Sequence, residues 1–342
     1  MAQPLGSPIR EITTLDEGMW RVVIASGRPV VLRGLVSDWP AVAAGRRSIA
    51  ASVEYLRRFD NGHPVDAIMT PPEIEGRVFY NADMSGFNFL RNRLALSAVA
   101  EQALRYSGFE HAPAVAVQSA LISACIPGFA AQNRLGFLDG SIAPRIWLGT
   151  AITTPTHLDE WNNIGCVVSG RRRFTLFPPE QIDNLYIGPL DFAPTGAPMS
   201  LVRLHEPDFA RFPRFRQALT AAVTAVLNPG DAIFIPPLWW HHVESLARFN
   251  MLVNYWWSPA PGVATATDSG FDALIHAILN LRGLPAPTRR AWRALLDHFV
   301  FAESEEAVGH IPPPRHGVLG EPGGQALARW RTYLIEKLQK GQ

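Results

Sequence analysis

Short apolar runs bounded by glycine, proline or asparagine dominate the chain between about residues 114 and 259. They predict strands over Val115–Ile122, Arg145–Gly149, Asn163–Val168, Arg172–Phe177, Met199–Leu204, Ala222–Leu227, Ala232–Ile235, Val243–Ser245 and Asn250–Trp257. Many short, punctuated strands favour a sandwich or barrel over a parallel sheet. The irregular stretch Asp183–Pro198 then reads as an insertion over one mouth of that barrel. The flanks differ. Upstream, helices are expected near Leu15–Ala25, over Ser48–Phe59 (Ile49, Val53 and Leu56 on one face) and over Leu94–Tyr106. Between the first two, the β-branched run Pro29–Val42 ends in a Ser-Asp-Trp-Pro turn. Residues 61–90 look loop-rich around Phe79, Tyr80, Phe87 and Phe89. Downstream of Pro261, helical stripes recur at Leu274, Ile275 and Ile278, at Trp292, Leu295, Leu296 and Phe299, and at Leu327, Trp330, Leu334 and Leu338, with a proline-rich break at Ile311–Arg315. The pattern divides the chain into a β-rich domain with N-terminal decoration over 1–260 and a helical region over 261–342.

Composition narrows the class without changing this outline. Of 342 residues, 47% are hydrophobic and 18% charged, which excludes a disordered chain. A net charge of +1 draws the protein to neither nucleic acid nor an anionic membrane. Two cysteines, Cys125 and Cys166, are too few for a disulfide framework or a cysteine zinc site. Cys166, inside the run IGCVV, reads as a small buried hydrophobe. Residues 1–18 contain no apolar signal core, and no stretch approaches the ~20 apolar residues of a membrane span. A soluble, cytoplasmic protein without a membrane partner is expected.

The candidate chemistry concentrates in Thr154–Phe177, which reads TPTHLDEWNNIGCVVSGRRRFTLF, with a hairpin between Val168 and Arg171 expected to bring its two ends together. His157 and Asp159 stand two apart, so an extended backbone turns both to the same side. A His-x-Asp pair alone is a weak signal, but it lies among the predicted barrel strands. A third ligand is available downstream, at His241 or His242, after the turn and strand NPGDAIFIPP. Two imidazoles and one carboxylate leave three open positions on an octahedral ion, the set that suits non-haem Fe(II). Strand parity puts Arg172 on the face of Phe174 and Leu176, hence inward. A buried guanidinium needs an anion, and a bound carboxylate would serve. Asn254 and Trp256 share a face, and Asn163 is a candidate for the same cavity.

These residues resemble the JmjC-type cupins, a branch of the 2-oxoglutarate- and Fe(II)-dependent oxygenases, and within it the cupin-like group that includes an asparaginyl hydroxylase. The likeness runs over roughly Pro29–Pro259 and is strongest in PVVLRGLVSDWP, in TPTHLDEWNN with GRRRFTLFPPEQ, and in PGDAIFIPPLWWHHVES with VNYWW. It implies a mainly β fold, a double-stranded β-helix or jelly-roll core. It implies His157, Asp159 and His241 as iron ligands, with His242 a non-ligating neighbour. Thr154, Asn163, Arg172 and Asn254 match positions at or around 2-oxoglutarate. Arg172 stands where relatives usually carry a lysine for the far carboxylate. Gln118 and Trp256 are the expected substrate-side residues, and Ala116 stands where the asparaginyl hydroxylase has a tyrosine. The implied reaction is hydroxylation of a protein side chain or small molecule with 2-oxoglutarate and O2, releasing succinate and CO2. No reader domain is visible, so hydroxylation is favoured over demethylation. The C-terminal helices resemble those through which relatives form homodimers. The competing reading, motivated by the departures at Arg172 and Ala116, is a non-catalytic or different-metal cupin that binds a small carboxylate.

Overall fold

In the computed structural model, residues 6–259, 270–302, 308–320 and 325–340 are described. The boundary expected at 260–261 and the side chain of Leu327 lie outside them. The chain divides into two compact units, Met1–Ala266 and Thr267–Gln342.

The first unit is built on two facing sheets. Its strands are β1 (Ser7–Pro8), β2 (Arg10–Ile12), β3 (Val30–Leu32), β4 (Pro64–Thr70), β5 (Leu90–Ala95), β6 (Ala114–Leu121), β7 (Arg145–Gly149), β8 (Thr153–His157), β9 (Asn162–Ser169), β10 (Arg172–Phe177), β11 (Val223–Leu227), β12 (Ala232–Ile235), β13 (Trp240–Ser245) and β14 (Asn250–Trp257). The smaller sheet has the order β1-β11-β10-β13-β8 and the larger β2-β3-β12-β9-β14-β7-β6-β4-β5. From β7 to β14 the chain passes repeatedly between the sheets, putting β7, β9, β12 and β14 in one and β8, β10, β11 and β13 in the other. That is a jelly roll.

Parity explains why the larger sheet is apolar on both sides. On β9, Ile164, Cys166 and Val168 join the core beneath the N-terminal helices, while Val167 joins the core between the sheets. On β12, Ala232 and Phe234 face the helices and Ile233 and Ile235 the barrel. The covering helices are α1 (Glu17–Ala25), α2 (Pro40–Arg47), α3 (Ile49–Arg57) and α4 (Leu96–Tyr106). Asp16 and Ser48 cap α1 and α3 through Met19 N (2.7 Å) and Ala51 N (3.0 Å). Pro40 of the Ser-Asp-Trp-Pro turn opens α2 as its first residue. Burial also pushes the Cys166 thiol up, as expected of an inert core cysteine.

Three expectations change. The stretch expected to be loop-rich contains β4 and abuts β5, which pair with each other. Met199–Leu204 is not a strand; only the bridges His157–Met199 and Ile187–Ser200 form there. The link between β9 and β10 is not a hairpin, because the two strands lie in opposite sheets. Gly170 makes the crossover at φ +75°, where an added Cβ would sit 2.4 Å from Phe249 O.

The second unit is helical over Gly270–Leu281, Ala286–Leu296 and Gln325–Lys340, with a π-turn at Asp297–Phe301. Leu274, Trp292, Leu295, Phe299, Trp330, Leu334 and Leu338 are all exposed. Among the described residues no helix is long and apolar enough to cross a membrane.

Candidate metal centre

β8 and β13 are antiparallel neighbours, with His157 opposite His241 in register. Their ring centres are 4.2 Å apart. Asp159 lies just past the end of β8, and its carboxylate lies beside the two rings. Its Oδ2 is 3.5 Å from His241 Nε2. One ligand-type atom from each of His157, Asp159 and His241 lies within 4.8 Å of the others. His241 rather than His242 completes this set, since alternation along β13 turns His242 to the outside of the barrel.

The tautomers are held by the backbone. His157 Nδ1 lies 2.8 Å from Pro155 O, and His241 Nδ1 3.0 Å from Trp239 O. A carbonyl can only accept, so each Nδ1 carries a proton and Nε2 is the ring nitrogen turned to an ion. Burial lowers the His157 pKa to about 4, with the His241 ring adding to the effect, so this imidazole is neutral at ordinary pH. Neutral imidazoles with free Nε2 atoms are what a divalent ion requires.

Asp159 is aimed by a polar chain across the barrel. Its Oδ2 accepts from Asn163 Nδ2 (3.1 Å) and from Trp256 Nε1 (3.2 Å). Asn254 Nδ2 donates to Asn163 Oδ1 (3.4 Å), and Trp147 Nε1 donates to Asn254 Oδ1 (2.9 Å). Parity on β9 and β14 brings these groups to one face. Asn163, Asn254 and Trp256 therefore orient a ligand-type carboxylate directly or through one another.

The same cavity is lined by Thr154, Arg172, Phe174, Thr195 and Ala197. Thr195 and Ala197 come from the insertion expected over the barrel mouth. Arg172 is 9% exposed, and its Nε has no hydrogen-bond partner among the described residues. Burial lowers its pKa to about 10, and no carboxylate opposes the shift. Arg173, on the opposite parity, instead pairs outside the barrel with Glu244 at 3.3 Å. The donor set fits a mid-hardness divalent ion, and the orphaned guanidinium fits an anionic co-ligand.

Two sequence-predicted positions fall elsewhere. Gln118 is outside the cavity lining, which takes Ser119 instead. The β6–β7 register slips between Val117 and Ala120, and Ser119 adopts φ +49°. This bulge adds a residue that simple alternation does not anticipate. Ala116 packs with Ile68, Val78, Ala114 and Ile152 and does not line the cavity. Trp147 was missed as a site residue, although its alternation with Ile146 and Leu148 marks it as inward. Thr195 had no signal beyond its place in the insertion.

A jelly roll with two histidines and one carboxylate inside its barrel defines a cupin. The chain belongs to the cupin-like domain family, whose match runs over residues 16–262. Its relatives include HSPB1-associated protein 1 of Homo sapiens, 39% identical over 149 residues, 43% of this chain and 30% of that protein. Lysine-specific demethylase JMJ31 of Arabidopsis thaliana is 36% identical over 124 residues, 35% of this chain and 22% of the relative. Lysine-specific demethylase 8 of Xenopus tropicalis is 27% identical over 238 residues, 68% of this chain and 48% of the relative. The match spans less than half the length of each of these relatives. The JmjC-type likeness read from the sequence holds, and cupin-like proteins of this type are generally Fe(II)- and 2-oxoglutarate-dependent oxygenases.

Proposed function

We propose that the chain is an Fe(II)- and 2-oxoglutarate-dependent oxygenase that hydroxylates a protein side chain or a small molecule. The observation that carries this reading is Arg172, a buried guanidinium without an acidic partner among the described residues, lining the same cavity as His157, Asp159 and His241. The three ligands would hold the iron, and Arg172 would pair with the distal carboxylate of 2-oxoglutarate. Arg172 stands four residues along β10 from Leu176, the register partner of His241. That is about 13 Å of strand, which the arginine stem and a five-carbon diacid together can bridge. Bound iron supplies oxygen activation, coupled to oxidation of 2-oxoglutarate to succinate and CO2 and insertion of one oxygen atom into a substrate C–H bond. The chain's own residues orient and dry the site. Asn163 and Trp256 hold the Asp159 carboxylate, and Phe174, Ile235, Val243 and Leu252 line an apolar wall that limits water.

Two relatives are named lysine-specific demethylases, and another is named for association with HSPB1. These names support a protein substrate. Both hydroxylation and demethylation begin with oxygen insertion at a C–H bond, so the chemistry drawn here is common to them. Protein loaded with Fe(II) is expected to release succinate from 2-oxoglutarate, stimulated by some members of a panel of peptides and small molecules. A chelator should abolish the release. Metal-loaded protein that neither binds 2-oxoglutarate nor forms succinate would sink the proposal.

The reading includes a homodimer through the second unit. Ile278, Leu281, Trp292, Leu296 and Phe301 line an apolar groove between two of its helices, and exposed Leu334, Ile335 and Leu338 follow one another along a third. A two-fold contact between copies would cover such faces. Sedimentation of the full chain should give twice the 37.7 kDa mass, and Leu334→Glu should shift it to monomer. A monomeric parent chain overturns this part.

A further inference from the structure

The outer face of the smaller sheet carries a second set of ligand-type side chains. His242 and Glu244 are two apart on β13, so both point away from the barrel. His205, on the segment that follows the insertion, lies over them. Its Nε2 is 2.7 Å from Glu244 Oε1, and its ring centre is 6.1 Å from that of His242. One ligand atom from each of His205, His242 and Glu244 lies within 4.8 Å of the others.

The independent pointer is His242 itself. It is 5% exposed, and among the described residues neither Nδ1 nor Nε2 has a hydrogen-bond partner. A buried imidazole with both nitrogens unsatisfied is unfavourable, and such groups require an explanation. The ring borders a polar cavity also lined by Thr153, Pro155, Arg203 and His205. There is room for an ion and its waters against an orphaned lone pair. The nearby cations have other engagements. Arg203 Nη1 is 2.8 Å from Glu206 Oε2, and the Arg77 guanidinium lies 3.7 Å over the Phe79 ring. Arg173 Nη1 lies 3.3 and 3.4 Å from the two Glu244 oxygens and His205 Nε2 takes Oε1, which leaves a lone pair on Oε2 for an ion.

We infer that His205, His242 and Glu244 form a second metal site for a borderline divalent cation of the zinc class. Two imidazoles and one carboxylate, completed by water, match that class, whereas calcium and magnesium prefer all-oxygen shells. The site sits behind the barrel ligands. It would tie β13, which carries His241, to the segment around His205, with β8, which carries His157, forming one wall. It is independent of the oxygenase reading, because its ligands face the opposite side of the sheet.

The test counts ions. The full chain is stripped with a chelator and dialysed against Zn2+ alone, and bound metal is measured by plasma mass spectrometry. Two equivalents are expected for the parent chain, one for Asp159→Ala, one for His205→Ala and none for the double variant. His205 is exposed and lies outside the strands, so its removal spares the fold, which circular dichroism checks. In the Asp159→Ala background, Zn2+ should raise Tm and Co2+ should give visible absorption bands, both lost on adding His205→Ala. Glu244→Gln should weaken binding in the same background. The inference is overturned if Asp159→Ala binds no ion, or if His205→Ala leaves the count unchanged. It is equally overturned if the cavity takes inorganic phosphate instead of zinc in a His205-dependent way. Failure of the barrel assignment would show separately, as a parent count unaffected by Asp159→Ala.

Discussion

Asp159→Ala is expected to lower divalent-ion affinity in the barrel by more than about 100-fold and to abolish turnover. Asp159 supplies the carboxylate of the barrel set, and without it two imidazoles with ring centres 4.2 Å apart would have to hold the ion alone. The bound is set by what indirect changes do. Removing a group that only orients a ligand typically costs about 10–100-fold in metal affinity, so removing the ligand exceeds that range. Asn163→Ala and Trp256→Phe should fall within it, because each deletes one donor to Asp159 Oδ2 and leaves the carboxylate free to rotate. The graded order separates a metal site from a structural hydrogen-bond cluster. In a structural cluster, Asp159→Ala would cost stability, roughly 1–3 kcal/mol for two stranded donors, and would leave ion binding intact. Anaerobic titration with Fe(II) measures the first effect, and denaturant unfolding of the metal-free protein measures the second. Unchanged Fe(II) affinity in Asp159→Ala would remove iron from this cavity.

The parts of this molecule that were legible in the sequence are those governed by period and punctuation. Arg145–Gly149, Arg172–Phe177, Ala232–Ile235 and Asn250–Trp257 form strands with the expected bounds, because glycine, proline or a polar break ends each run. Parity along β10 was enough to turn Arg172 inward, and the cavity receives it. What escaped depends on contacts between distant segments. The two residues between β9 and β10 resemble a hairpin turn, yet the burial of β9 on both faces commits it to the larger sheet and sends β10 across the barrel. β5 reads LRNRLA and is exposed along most of its length, an edge strand whose charges conceal its pairing with β4. The bulge at Ser119 broke the alternation that favoured Gln118. The spacing left His241 and His242 open, and the family resemblance made His242 a non-ligating neighbour. Its own importance emerges only once His205, 37 residues earlier in the sequence, is folded over the sheet.

Arg172→Met is expected to move stability and ligand binding in opposite directions. In the ligand-free chain the guanidinium is buried, its Nε is unpartnered, and its pKa is lowered to about 10 by desolvation alone. An uncompensated buried charge destabilises the fold, and an apolar side chain of similar length removes that penalty. The variant should gain about 1–4 kcal/mol, the range seen when apolar residues replace buried ionic groups. A bound dicarboxylate reverses the balance. A charge-assisted, two-pronged contact contributes about 1.5–3 kcal/mol per hydrogen bond, so its loss should weaken 2-oxoglutarate binding by roughly 100-fold or more. Arg172→Lys keeps the charge but not the fork, and should retain measurable binding while losing part of the affinity. Denaturant unfolding without ligand and calorimetric titration of the metal-loaded protein with 2-oxoglutarate read the two effects separately. A purely structural arginine predicts the opposite pattern, with stability lost in Arg172→Met and 2-oxoglutarate affinity unchanged. That result would transfer the anion-binding role to another residue of the cavity. A more stable chain that has lost its affinity for 2-oxoglutarate would identify Arg172 as a group held in an unfavourable place for the sake of its ligand.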